Sequence, residues 1–224
     1  MLQLWRTNAR VREGGYLFLL TLCCFGLSLF RIGYSGSNKY LFLNWNLFLA
    51  FMPWFFTSLL HVFPKWKERK LILWMIGLSW LAFFPNAPYI LTDLFHLNVS
   101  SSMPVWFDLV LILAFAWTGL LFGFLSLWDL EKLMATKVQK RWVPFISVGL
   151  LFLSSFGIYL GRYLRWNSWD LLNRPGSIIQ DVGERVIYPL EHTRTWGVTF
   201  FMGILLVLMY ISFRLVYSRN TFPR

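Results

Sequence analysis

Apolar residues come in blocks of about twenty along this chain. That is the length a helix needs to cross a hydrocarbon core of roughly 30 Å, at about 1.5 Å per residue. Six blocks are legible, near 16–32, 41–63, 71–84 and beyond, 105–128, 143–163 and 196–216. Hydrophobic residues make up 57% of the chain and charged residues only 14%, so a soluble domain of this size could not hide its apolar surface. The expected fold is all-α: one polytopic membrane domain over residues 1–224, a bundle of about six transmembrane helices. No internal repeat, low-complexity tract or second domain is evident.

The net charge of +11 does not indicate nucleic acid, because the cations lie in short clusters between apolar blocks. In a membrane protein such an excess orients the chain and meets the lipid bilayer. Fourteen Lys and Arg fall on the side of the two termini: Arg6, Arg10 and Arg12, then 65–70, 132–141 and 214–224. Seven fall opposite: Arg31, Lys39, Arg162, Arg165, Arg174, Arg185 and Arg194. The positive-inside rule then puts both termini in the cytoplasm. The cytoplasmic stretches 63–67 and 129–141 read as interfacial anchors. Cys23 and Cys24, adjacent within the first block, offer no framework disulfide. Arg6, Arg10 and Arg12 before an apolar block resemble a signal peptide, but no small-residue cleavage site follows, so the expectation is an uncleaved first span.

The third block is interrupted. Leu71 to Phe84 covers only about 21 Å, and Pro85-Asn86-Ala87-Pro88 follows, then Thr92, Asp93 and His96. A regular helix is not expected to continue between the prolines. Polar groups at that depth are expensive and need a partner, a cavity or a function. The topology puts further polar residues at the same outer level: Asn44 and Asn46, Asp108, then Arg162, Arg165, Asn167 and Asp170. In the long last outer loop, Pro175-Gly176-Ser177 signals a helix start. The spacing of Ile178, Ile179, Val182 and Val186 predicts a short amphipathic helix at the interface.

The types of residue suggest two chemistries. Asp93 and His96 are three apart and face one way on a helix. With Asp108 from the next span they form an oxygen and nitrogen set suited to a divalent metal such as zinc or manganese, or to metal-free general-base catalysis. Against this stands the plain alternative that Asp93 caps a helix or pairs with an arginine. Arg162 and Arg165, also three apart, suit phosphate. With Asn46, Asn86, Asn167 and Asp170 they form a candidate ligand-binding set, for an anionic lipid or a lipid-linked substrate. Snorkelling, or internal pairing with the nearby acids, is the alternative for the arginines. Asn86 either lines a cavity at the break or only satisfies freed backbone groups.

Phe84-Pro85-Asn86-Ala87-Pro88-Tyr89 with Thr92-Asp93 and His96-Leu97, Trp106-Phe107-Asp108, Gly157-Ile158-Tyr159-Leu160-Gly161-Arg162 and Arg165-Trp166-Asn167-Ser168-Trp169-Asp170 together resemble a family of bacterial integral membrane proteins, domain of unknown function 1361. The likeness runs from the second span to the last outer loop. It implies a multi-pass protein of the bacterial plasma membrane and brings no activity, cofactor or site residue with it. Three readings of function remain: binding or processing of an anionic amphiphile at an outer-leaflet pocket, a small transporter or channel with a polar path to the cytoplasm, and a structural subunit whose polar cluster is an internal network.

Overall fold

The computed structural model describes residues 2–97, 103–167 and 169–221. The long helices are α1 (Leu2–Ser35), α2 (Phe42–Val62), α3 (Lys70–Phe83), which the short α4 (Asn86–Tyr89) extends, α5 (Val105–Met134) and α6 (Val143–Tyr163). A second short helix, α7 (Asp170–Asn173), precedes the amphipathic α8 (Pro175–Ile187) and the last long helix, α9 (Thr193–Thr221). Six helical stretches are long and apolar enough to cross a membrane: Arg10–Ser35, Phe42–Val62, Lys70–His96, Val105–Met134, Lys140–Tyr163 and Thr193–Tyr217. They match the six blocks expected from the sequence, and the chain is a multi-pass membrane protein. Proline sits in the first turn of α6 and α8, where its missing N–H costs no hydrogen bond. After six crossings α9 ends beside the start of α1, and the Tyr217 hydroxyl donates to the Glu13 carboxylate. That side is the terminal face; the opposite one is the distal face.

α5 is the central helix. It packs against α1, α2, α4 and α6, and 67% of its most apolar window is buried. Two ion pairs fasten α1 to it. Arg10 Nη1 donates to Asp129 Oδ2 at 2.6 Å on the terminal face. Arg31 Nε donates to Asp108 Oδ1 at 2.7 Å on the distal face. Arg10 and Arg31 are 21 residues apart, and so are Asp108 and Asp129. On antiparallel helices the pairs are therefore in register, separated by about 31 Å along the axis. That distance matches a hydrocarbon core of roughly 30 Å, so each pair sits near one boundary. Between them, Cys24 Sγ and Thr118 Oγ1 meet at 3.4 Å.

The interruption of the third span falls where the prolines predict, but the chain does not unwind there. Phe84, Pro85, Tyr89 and Ile90 all keep right-handed helical angles. The hydrogen bonding alone changes. Ala87 N reaches back three residues to Phe84 O at 3.2 Å, and Tyr89 N four to Pro85 O at 3.1 Å. Ile90–His96 then winds as a tighter 3₁₀ helix, a geometry that suits short pieces at helix ends. Each proline sits where its absent N–H and fixed φ are compatible with a turn starting afresh.

Glycines hold this segment close. A Cβ on Gly119 would lie 2.9 Å from Ala87 O, and one on Gly123 2.8 Å from Ala87 Cβ. On α6 a Cβ on Gly157 would lie 2.8 Å from Pro85 Cγ, and one on Gly161 3.1 Å from the Tyr89 ring. Both pairs have the four-residue spacing that lets helix backbones approach closely in a membrane. The interrupted segment is thus wedged between α5 and α6. Gly157→Ala is expected to cost about 1–3 kcal/mol by overpacking a rigid proline ring. Gly149→Ala, which meets open space on the same helix, is expected to be neutral or to stabilise by up to about 1 kcal/mol. Thermal unfolding in detergent compares the two.

Candidate functional site

The glycine wedge brings the residue after Gly161 against the 3₁₀ segment. Arg162 Nε donates to Thr92 Oγ1 at 2.9 Å, and Nη2 forms a short ion pair with Asp93 Oδ1. Its Nη1 bonds His96 Nε2 at 2.8 Å. Its guanidinium lies 4.3 Å from the centre of the Tyr89 ring. A guanidinium has no acceptor, so His96 Nε2 accepts and the ring proton is on Nδ1. Asn46 Nδ2 donates to the other Asp93 oxygen at 2.9 Å. Asp93 is 1% exposed, whereas His96 lies on the surface.

Asp108 does not join this group. Its carboxylate is fully buried and taken by Arg31, itself 1% exposed, whose Nη2 adds a second contact at 3.3 Å. The Arg31 guanidinium stacks 4.5 Å from the centre of the Tyr40 ring. The Tyr40 hydroxyl donates to His96 O at 2.8 Å and so joins the two networks. Burial raises the Tyr40 pKa, and the negative Asp108 nearby adds to the rise, so this hydroxyl remains a donor.

The expected metal set of Asp93, His96 and Asp108 therefore does not assemble. Each carboxylate is neutralised by its own arginine. Among the described residues no group of three or more His, Cys, Asp and Glu side chains is placed to hold a metal ion. A general base is equally ill served by a carboxylate fixed in a buried ion pair.

The ligand set also divides. At the break, Asn86 Nδ2 donates to Phe83 O at 2.9 Å, which satisfies a backbone carbonyl there. Asp170 Oδ2 accepts from Asn167 N at 2.8 Å and Nδ2 at 3.2 Å, which closes the loop after α6. Ser168 lies outside the described residues. Arg165 is exposed, and its backbone is left-handed, with φ 60. Leu164 N and Trp166 N both return to Leu160 O, at 3.2 and 3.1 Å, so Arg165 occupies the position that ends many helices and usually holds glycine. Above the bundle, α8 is tied down by Trp166 Nε1 donating to Asp181 Oδ2 at 2.7 Å and Trp196 Nε1 donating to Arg185 O at 3.0 Å.

The terminal face holds a network where the sequence reading expected only interfacial anchors. Asp129, 9% exposed, takes Arg10, with His61 Nε2 at 3.4 Å and Lys132 Nζ at 3.7 Å from its other oxygen. Arg10 Nη2 donates to Ser58 Oγ at 2.6 Å. Between this network and the distal one, α5 buries Leu111, Ile112, Phe115, Leu121 and Phe122, with Thr118 and Ser126 among them. The matched 21-residue spacing of Arg10 with Arg31 and of Asp108 with Asp129 was the available sequence signal.

Comparison with known families decides the identity. The family described as a protein of unknown function, DUF1361, matches residues 45–209. The chain belongs to the DUF1361 family. The match runs from α2 into α9, further than the motifs alone reach, and leaves α1 outside. No curated protein and no solved structure matches the chain.

Removing one partner of a buried ion pair is expected to cost about 3–5 kcal/mol, because the other charge is left uncompensated. Asp108→Ala and Asp93→Ala should both show this. Arg31→Met combined with Asp108→Leu should recover most of the loss, since an apolar pair leaves no orphaned charge. Asp170→Ala, which loses only loop hydrogen bonds near the surface, should cost about 1 kcal/mol. Chemical denaturation of the purified protein measures all four.

Proposed function

We infer that this DUF1361 protein is a lipid-recognition protein of the bacterial plasma membrane, with its termini in the cytoplasm. Its distal rim binds the phosphate of an anionic lipid or lipid-linked substrate. Arg165 is the primary contact, and His96 and Asn167 lie on the same exposed surface. The buried Asp93–Arg162 and Arg31–Asp108 pairs support that rim and do no chemistry on the ligand.

One observation carries this reading: an exposed arginine stands at a left-handed, helix-ending position. A non-glycine residue there costs roughly 1 kcal/mol relative to glycine. A side chain kept at that cost, at headgroup depth and outside the ion pairs beside it, suits a function such as phosphate contact. The orientation rests on the two-to-one excess of Lys and Arg on the terminal face. The structural-subunit reading has one observation of its own: Asp93, Asp108 and Asp170 are all satisfied within the chain.

Arg165→Gly separates the two readings. It should raise stability by up to about 1 kcal/mol and lower binding of anionic vesicles several-fold, with weaker dependence on salt. Higher stability with undiminished vesicle binding would leave only the structural role. For the orientation, Cys23 and Cys24 are replaced and single cysteines placed at Lys39 and Lys137, both exposed. An impermeant thiol reagent applied to intact cells should label position 39 and spare 137; the reverse pattern would invert the topology.

A further inference from the structure

Of the side chains in contact with Arg162, His96 is the exposed one; Thr92 and Asp93 are buried and Tyr89 is half-buried. Its Nε2 accepts from Arg162 Nη1 at 2.8 Å. A guanidinium only donates, and so does an imidazolium, so this bond exists only while the ring is neutral. The backbone of His96 is fixed, because the Tyr40 hydroxyl donates to His96 O at 2.8 Å. On its other flank the ring meets Phe42, with 5.2 Å between ring centres. The side chain is therefore the part of this residue that can move.

The charges around the ring come from several elements. α6 supplies Arg162, and the 3₁₀ segment itself supplies Asp93. α2 supplies the uncharged Phe42 and Asn46. The Arg31–Asp108 pair of α1 and α5 connects to His96 through Tyr40. With the ring neutral, Asp93 and Arg162 cancel. A proton on His96 leaves one net positive charge among the three. Asp93 already takes Arg162 on one oxygen and Asn46 on the other, and one carboxylate cannot neutralise two cations. Two cations in direct contact also repel. Arg162 stays with Asp93 and Thr92, so the exposed imidazolium is the group that turns outward, carrying its charge and both N–H donors with it.

We propose that His96 is a proton-operated latch, and that its protonation makes it a second phosphate contact on the surface that presents Arg165. Neutral, the ring spends its acceptor on Arg162. Protonated, it offers charge-assisted donors to a phosphate. Imidazole takes up a proton between about pH 8 and pH 5, so the distal rim binds anionic lipid more tightly in acid. The proposal rests on the phosphate-binding reading of Arg165 and adds the regulation of that site. On that reading the distal face meets the external medium, whose pH the latch follows.

Two measurements on the full chain in detergent micelles test this. Nitrogen-15 NMR of the histidine-labelled protein reads the ring nitrogens, and His61→Gln and His192→Gln assign the other two of its three histidines. At pH 8 Nε2 of His96 should be bare, with the proton on Nδ1; at pH 5 both nitrogens should carry protons. Calorimetric titration with dioctanoyl phosphatidylglycerol then gives affinities at both pH values. The probe's phosphate is ionised at both, so a change belongs to the protein. The wild type should bind about tenfold more tightly at pH 5, the equivalent of about 1.4 kcal/mol. His96→Gln, whose amide oxygen can still accept from Arg162, should lose this pH dependence. A neutral ring protonated on Nε2, or a tenfold change that persists in His96→Gln, would overturn the latch. So would wild-type binding that is equal at both pH values and lost in Arg165→Gly, an outcome that leaves the Arg165 reading standing. No wild-type binding at either pH would overturn that reading and the proposal with it. The spectrum and the wild-type titration need no substitution at His96, so they decide the matter if His96→Gln does not fold.

Discussion

The bundle depends on two ion pairs in register, Arg10 with Asp129 and Arg31 with Asp108, between the first span and the central one. In a bilayer, apolar packing gives little preference for one helix register over another, because lipid tails are as apolar as leucine. A charge pair is different. Sliding α1 along α5 by one turn would strand two arginines and two aspartates at once, each in or near hydrocarbon. The pairs add little net stability over apolar residues of the same shape, since desolvation offsets most of their attraction. Their effect is to exclude the alternatives. Two clamps about 31 Å apart also fix the position of the helix pair along the membrane normal, because both must lie near a boundary.

With α5 placed, the interrupted third span follows from small residues rather than from polar ones. Gly119 and Gly123 on one side and Gly157 on the other receive Ala87 and Pro85 at distances that leave no room for a Cβ, and Gly161 receives the Tyr89 ring almost as closely. Close approach of α6 then puts Arg162 within reach of Thr92, Asp93 and His96 together. The polar cluster is thus a consequence of the glycine packing. Arg162 adds the specificity of a fixed direction, because one planar guanidinium has to satisfy three partners and a ring face.

The periodic features were legible in the sequence. Six spans, the interruption at Pro85 and the amphipathic α8 follow from block length, proline chemistry and apolar spacing, all local properties. Partner choice was not legible in the same way. Asp108 was grouped with Asp93 and His96 because all three lie at one depth, yet depth says nothing of position around the bundle. Arg31 was counted only as a charge on the side opposite the termini, yet it lies on the α5-facing side of α1. Asn86 reads equally well as a cavity residue or a local cap until the Phe83 carbonyl is located. The Asp129 network was hidden for another reason: charged residues at a membrane boundary are so commonly anchors that two acids among basic residues, Asp129 and Glu131, carry no distinguishing mark. The equal 21-residue intervals carry that information, but only once α1 and α5 are known to be antiparallel neighbours.

The same accounting of partners sorts the remaining charges into structural and available ones. On the distal face Arg31, Arg162 and Arg185 are held by carboxylates, and the acids they hold are no longer free to bind metal or move protons. Arg165 is outside these pairs and takes a backbone conformation that glycine would adopt at lower cost. On the terminal face Asp129 is held in the same way by Arg10, His61 and Lys132, so the acid at that end of α5 is committed to joining α1, α2 and α5 and is not free for other chemistry.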